Sequence, residues 1–209
     1  MKLTNIAFSA FLLSGSFLGA QDLLYGLQAG ATLPQGDVKN NLHLTTGYSL
    51  GVNLLIDLGG GHAIVPRLDY TAFSGESFVV GVASTLSLPG GPPSITVPVS
   101  GKGKFTSTAL IADYNFYVSG KANDGFYLAL GTGYARNRHT LDLMTVPSIP
   151  PFYPSNYSET KGTFIFEAGV GYMFSTHFGA EAKYEITKYG DSSHSTNAPW
   201  LNLNLLARF

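Results

Sequence analysis

The sequence contains no cysteine and few charged residues, and both shortages narrow what the protein can be. Without cysteine, the chain can form no disulfide framework, no thiolate metal site and no lipid anchor on cysteine. Lys, Arg, Asp and Glu make up only 12% of the 209 residues, about half the usual fraction. The net charge is −1 and no run of basic residues occurs, so composition argues against nucleic acid as a partner.

Long apolar runs are also missing after the N-terminus. No stretch reaches the roughly 18 consecutive apolar residues that indicate a transmembrane helix, although 44% of the residues are hydrophobic and the mean hydropathy is +0.13. A bilayer accepts only helices and edge-free sheets, because backbone polar groups find no water there. An apolar chain of low charge without spanning helices therefore favours a closed β-barrel.

Residues 1–20 predict a secretory signal peptide. Lys2 supplies a positive start, residues 6–18 are mostly apolar, and small residues precede a cleavage site expected near Ala20. The alternative, an uncleaved N-terminal anchor, is disfavoured by the short length of the segment. We expect an exported mature chain in which residues 21–209 form one domain.

The last ten residues, from Trp200 to Phe209, show a pattern that the chain repeats. Successive side chains of a strand point to opposite faces, so a strand here has one apolar and one mostly polar face. Seven further segments alternate in the same way: 23–32, 46–57, 62–73, 105–118, 125–136, 162–174 and 178–188. The sequence therefore predicts eight strands.

The connections between these segments alternate in length. Short turns follow the second, fourth and sixth segments. Longer loops follow the others, over 33–45, 74–104, 137–161 and 189–199. Short periplasmic turns on one rim and long loops on the other are typical of an eight-stranded antiparallel up-and-down transmembrane β-barrel. Within loop 74–104, residues 78–99 predict a hairpin that extends the third and fourth strands beyond the membrane, and Pro66 predicts a bulge or local irregularity.

The distribution of charge indicates which face meets lipid. In all eight segments the apolar face carries no charged residue before its last position, where Arg136 and Lys188 end two segments at the long-loop rim. A charge at the bilayer centre would cost roughly 2–4 kcal/mol. Aromatic residues gather near both ends of this face, as in interfacial girdles; Tyr48, Tyr70, Tyr134 and Phe164 lie towards the long-loop rim. The alternative is a secreted soluble barrel that binds a small apolar ligand in an apolar lumen.

Residues 21–209 resemble the small OmpA-type outer-membrane β-barrel domains. The resemblance is carried by GTGYAR (131–136), EAGVGYMF (167–174), EAKYEIT (181–187) and the terminal Arg208-Phe209. It implies a Gram-negative outer membrane, periplasmic termini, and outer-membrane lipids and lipopolysaccharide as neighbours. It also implies that the barrel-assembly machinery recognises a C-terminal signal made of Leu201, Leu203, Leu205 and Phe209.

The charged residues of the polar face predict a network inside the barrel. An eight-stranded barrel has a lumen that side chains just fill, and buried charges are costly unless they are paired. We therefore expect the basic side chains to pair with carboxylates. The predicted network consists of Arg67, Asp69, Asp113, Glu167, Glu181, Lys183, Glu185 and Arg208.

A loop segment, DSSHSTNA at 191–198, raises the alternative of a lipid A-modifying outer-membrane hydrolase. It brings Asp, Ser and His together, and lipid A deacylases carry a His-x-Ser-Asn motif that His194, Thr196 and Asn197 resemble. However, Thr196 replaces the serine, and catalytic triads are assembled in space rather than from consecutive residues. The other histidines lack metal-ligand spacing. We therefore predict no catalytic residue, no metal site and no cofactor.

The loop at 146–159 carries the candidate residues for binding an extracellular partner, Phe152, Tyr153 and Tyr157. Exposed apolar patches often mark interaction sites, although these rings have the alternative of packing on the neighbouring hairpin. The sequence predicts an integral outer-membrane barrel with a structural or cell-surface interaction role and no catalysis.

Overall fold

The computed structural model describes residues 23–84, 95–145, 156–190 and 195–209, which form a closed barrel of eight strands. The strands are β1 (Leu23–Pro34), β2 (Gly47–Gly59), β3 (His62–Ser84), β4 (Ile95–Tyr117), β5 (Gly125–Thr145), β6 (Asn156–Met173), β7 (Phe178–Tyr189) and β8 (Thr196–Arg208). Each strand pairs antiparallel with the next, and β8 pairs with β1 to close the ring. The prediction of an eight-stranded antiparallel barrel is confirmed.

The two faces of the wall are inverted relative to a soluble protein. Leu130 and Leu205 point outward with 61% and 68% of their surface exposed, whereas Arg67 and Lys183 point inward and are only 2% exposed. The same alternation runs around the ring, because successive residues of a strand face opposite sides. An ionised lumen within an apolar outer wall contradicts the soluble-barrel alternative, which requires an apolar lumen.

The strands from β3 to β6 extend much farther on the long-loop side than the eight alternating segments, and β8 begins at Thr196 rather than at Trp200. The sequence placed the end of the third segment at residue 73, but β3 continues to Ser84, which pairs with Ile95 of β4. β5 likewise continues to Thr145, and β6 begins at Asn156. Beyond a membrane both faces of a strand can be polar, so the alternation that marks a strand disappears while backbone pairing continues. The predicted hairpin is present over its described residues.

A short helix, α1 (Gly36–Leu42), interrupts the loop between β1 and β2 and was not predicted. Val38 and Leu42, four residues apart on one helical face, are buried. A seven-residue helix has little intrinsic stability, so the burial of these two side chains stabilises it. The helix ends at His43, which adopts a left-handed backbone conformation with φ 49°. No helix among the described residues is long and apolar enough to cross a membrane.

Pro66 disturbs the wall without inserting a residue. The ladder between β2 and β3 skips from the pair Asn53–Arg67 to the pair Ile56–Ile64, but the register is the same on both sides. Pro66 has no N–H to donate to β2, which accounts for the gap. The predicted irregularity is therefore a local loss of pairing. The register shifts elsewhere, between Asp57 and Gly59.

Several predicted features lie outside the described residues. These are the signal peptide at 1–20, the turn of the β3–β4 hairpin, Phe152, Tyr153 and His194.

Candidate functional site in the barrel lumen

Arg67 lies at the centre of a buried cluster of charged side chains. Its guanidinium contacts carboxylates from four strands: Asp69 beside it on β3, Asp113 on β4, Glu167 on β6 and Glu185 on β7. The Nε–Asp113 Oδ2 distance is 3.1 Å and the Nη2–Glu185 Oε1 distance is 3.5 Å. A planar fork of N–H donors suits such simultaneous contacts better than a lysine would.

Lys183 on β7 is the second cation of the cluster. Its Nζ lies 2.7 Å from Asp113 Oδ2, 3.3 Å from Glu167 Oε1 and 3.2 Å from Glu181 Oε2. Asp113 and Glu167 therefore contact both cations and join them into one network. Seven side chains that the alternation pattern placed on the polar face meet here: Arg67, Asp69, Asp113, Glu167, Glu181, Lys183 and Glu185.

Neutral donors complete the shell around the carboxylates. Glu185 accepts hydrogen bonds from Trp200 Nε1 at 3.0 Å and from Asn202 Nδ2 at 2.5 Å. Glu181 accepts hydrogen bonds from the hydroxyl of Tyr127 at 2.9 Å and from an amide on β8. Hydrogen bonds reduce the cost of burying charged groups. Sequence reasoning did not single out these donors, although their inward positions follow from the same alternation.

Glycines on the inner wall leave the space that the long side chains occupy. A Cβ placed on Gly131 would overlap Asp113 Oδ1 and lie 2.7 Å from Glu167 Cγ. A Cβ on Gly169 would lie 2.5 Å from Lys183 Cγ. The glycines of the GTGYAR and EAGVGYMF motifs therefore have a steric role: they make a narrow lumen wide enough for the charged cluster.

An apolar layer covers the cluster on the long-loop side. Val38 and Leu42 of α1 belong to one buried group with Phe73, Phe105 and Trp200, which come from β3, β4 and β8. The two phenylalanine rings lie 6.0 Å apart between centroids, and each lies 5.8 Å from Trp200. The helix thus closes the mouth of the barrel from inside the ring of strands.

The helix is also tied to the wall at both ends. Gln35 N donates to Pro199 O at 2.9 Å, and Asn41 Nδ2 donates to the hydroxyl of Tyr189 at 3.1 Å. Next to its C-terminal end, the ring of His43 stacks on Phe78 of β3 with centroids 4.5 Å apart. These contacts fix the apolar layer to β3, β7 and β8.

Arg208 was predicted to pair with a carboxylate, and the structure contradicts this. Its Nη1 donates to the Tyr117 hydroxyl at 2.7 Å and to Asn123 Oδ1 at 2.9 Å. Among the described residues no carboxylate forms an ion pair with it. The reason is its position at the short-turn end of β8, where it packs with an apolar group that contains Tyr127 and Met173 and that separates it from the charged cluster. Arg208 instead ties the end of the chain to the β4–β5 turn.

The charged cluster is enclosed within the lumen. With two cations and five carboxyl groups, the cluster has a formal charge of −3 when all groups are ionised, and it lies between two apolar layers. Among the described residues, no group of three or more His, Cys, Asp or Glu side chains is arranged to hold a metal ion. Thr196 and Asn197 of the candidate hydrolase motif begin β8, and Asn197 is exposed.

Comparison with known families assigns the chain to a family. The family model described as the outer membrane protein beta-barrel domain matches residues 7–209. The chain belongs to this outer membrane β-barrel family. Membership agrees with the apolar outer wall, and it confirms the resemblance to small outer-membrane barrels that the glycine and aromatic motifs indicate. A search of curated proteins finds no match.

Solved structures give the same fold for this outer membrane β-barrel protein. A major outer membrane protein from Thermus thermophilus superimposes with a TM-score of 0.55 at 14% identity, over 90% of this chain and 100% of that one. Neisserial surface protein A superimposes with a TM-score of 0.51 at 15% identity, over 90% and 97% of the two chains. At such identities the likeness concerns the fold.

The remaining predicted residues are exposed or half-buried. Leu203, Leu205 and Phe209 of the predicted assembly signal are exposed on the outer wall, and Leu201 is half-buried. Tyr157 on β6 is exposed, and its hydroxyl donates to Glu159 at 2.8 Å. The ring of Tyr157 lies 5.6 Å from that of His139. Burial lowers the pKa of His139, and the nearby Glu159 carboxylate opposes that shift.

Proposed function

We propose that this protein is a closed, non-catalytic barrel of the Gram-negative outer membrane that holds long hairpins at the cell surface, where they bind an extracellular partner. The termini and short turns are periplasmic. The observation that carries the proposal is the continuation of paired strands past the aromatic girdle. From Tyr70 to Ser84, β3 pairs with β4 at every residue except Gly75 and Glu76, over roughly 45 Å along the strand.

The filled lumen supports a role outside the barrel. Transport needs a path, and here α1, the charged cluster and the lower apolar group occupy the axis in succession. Loops and hairpins carried by a rigid barrel are the usual place for binding residues. Phe152, Tyr153 and Tyr157 remain the proposed contact residues, joined by the exposed Val79 on the other hairpin.

Shortening one hairpin will separate the surface role from the barrel. Replacing residues 79–100 with Asn-Gly joins Phe78 directly to Gly101, which are already paired, through a favoured two-residue turn. We expect the variant to fold normally and to lose most adhesion to cultured epithelial cells when displayed on a bacterium. Folding of the variant is checked by heat-modifiable migration on a gel. Surface proteolysis of the parent protein within 74–104 checks that the hairpin is displayed outside the cell. Unchanged adhesion would count against this hairpin as the binding element.

The hydrolase alternative has a direct test of its own. If the protein deacylated lipid A, His194→Ala would restore the unmodified lipid A mass in cells that express it. We expect identical lipid A mass spectra for cells with the parent protein, the His194→Ala variant and no protein.

A further inference from the structure

The outer wall carries a group of basic side chains that the charged lumen does not use. Lys102 and Lys104 lie on β4, and Arg136 and Arg138 lie on β5. The strand register places Thr108 opposite Arg136, Thr106 opposite Arg138, and Lys104 opposite Thr140. Lys104 is therefore a diagonal neighbour of Arg138, at about 7–8 Å between backbones. We call these four residues the β4–β5 basic patch.

The patch concentrates charge in a protein that has little of it. Four of the 12 Lys and Arg residues of the chain lie here. Three acids lie nearby: Asp142, which lies 2.7 Å from Lys104 Nζ, Glu76 in the irregular part of β3, and Glu159, whose carboxylate lies by His139 on the other face of the wall. Within the described part of the chain, none of the three forms an ion pair with Arg136 or Arg138, and both arginines are exposed. The patch thus keeps a net positive charge and guanidinium donors that face outward.

Hydroxyl groups surround the arginines and orient one of them. Arg138 Nε donates to Ser158 Oγ at 3.0 Å, which leaves the terminal nitrogens of the guanidinium for another partner. Thr106 and Thr160 are the register partners of Arg138 on either side. Arginine forks flanked by hydroxyl groups suit the oxygens of a phosphate group.

The height of the patch along the barrel indicates the chemistry of a ligand that would reach it. On β5, Tyr134 belongs to the aromatic girdle, and Arg136 and Arg138 follow it at the next two outward positions. They therefore lie roughly 5 and 10 Å beyond the girdle, given the rise and tilt of barrel strands. Below them, Leu110, Leu130 and Phe164 continue the exposed apolar wall. A ligand that fits this surface needs acyl chains beside the leucines and anionic groups at the height of the arginines.

We propose that the β4–β5 basic patch binds the phosphate groups of the outer-leaflet glycolipid, lipid A, while its acyl chains lie on the wall below. The patch faces sideways from the barrel, where the neighbour is a lipid headgroup rather than open solvent. This inference rests on the proposed orientation, with the long hairpins outside the cell.

Binding of lipid A by purified, folded protein tests the proposal. The full chain in detergent is titrated with Kdo-lipid A and with the same lipid after enzymatic dephosphorylation, and occupancy is read by native mass spectrometry. We expect the double variant Arg136→Gln/Arg138→Gln to bind phosphorylated lipid about 30-fold more weakly. Lys39→Gln/Lys121→Gln removes two exposed charges away from the patch and should bind like the parent.

Each outcome of this experiment decides the matter. Loss of binding confined to the arginine variant and to the phosphorylated lipid supports the site. Equal binding by both double variants, or equal binding of the dephosphorylated lipid, overturns it. Heat-modifiable migration and cell-surface proteolysis do not depend on lipid A binding. Migration therefore reports separately on folding, and proteolysis reports separately on the orientation of the barrel.

Discussion

Replacing Arg67 with methionine will destabilise the folded barrel by roughly 3–5 kcal/mol, because the change leaves buried carboxylates without their shared partner. Arg67 contacts four of the five carboxylates, and its side chain is fully buried. The free energy of unfolding is measured by urea titration in detergent micelles. Trp200 is the single tryptophan and donates to Glu185 beside Arg67, so its fluorescence reports on the cluster itself.

Two further variants keep this prediction decisive. Lys104→Met removes a cation from the half-exposed pair with Asp142, and such surface pairs contribute at most about 1 kcal/mol. Adding Glu167→Gln to the Arg67→Met variant removes the negative charge of one carboxylate that has lost its contact with Arg67, so part of the lost stability should return. If Arg67→Met cost no more than Lys104→Met, the lumen cluster would not be what stabilises the barrel.

Replacing Leu130 with arginine will lower the free energy of unfolding of the barrel in lipid vesicles by roughly 2–4 kcal/mol. Leu130 points outward midway between Phe126 and Tyr134, which mark the two ends of the apolar wall on β5. Charge at this depth loses its hydration. In water the same position would be an ordinary exposed site, where substitutions change stability by about 0.5 kcal/mol or less.

Val79→Arg supplies the matched control for this prediction. Val79 is 71% exposed, even more than Leu130, but it lies nine residues beyond Tyr70 on β3. The same substitution there should change the free energy of unfolding by about 0.5 kcal/mol or less. Equal costs at both positions would contradict the depth that the aromatic girdles define.

The period of two in the sequence was sufficient to predict the barrel and its inside-out faces. Lipid requires apolar side chains at outward positions, and the narrow lumen holds the polar and charged ones at inward positions. Every membrane-spanning segment therefore shows a clear alternation of apolar and polar residues. The signal ends where lipid ends. For this reason the upper parts of β5 and β6 were missed, and α1 was missed because only Val38 and Leu42 mark its buried face.

The alternation of apolar and polar residues could not predict which side chains contact each other. The inward face of Arg208 was predicted, but its partner depends on height along the axis, and Tyr117 lies at that height instead of a carboxylate. The β4–β5 basic patch was missed for the same reason. Lys104 and Arg138 lie 34 positions apart in sequence and become neighbours only through the strand register.

The claim on which the account depends is that the uncharged side of each strand contacts hydrocarbon. Because the chain has no native cysteine, a spin label on one introduced cysteine reports on one site. Labels at Leu128 and Leu130 of the protein in nanodiscs should be relaxed by oxygen and shielded from a water-soluble nickel complex, and a label at Arg138 should behave oppositely. Labels at Leu128 and Leu130 that reach the nickel complex as readily as the label at Arg138 would contradict the account.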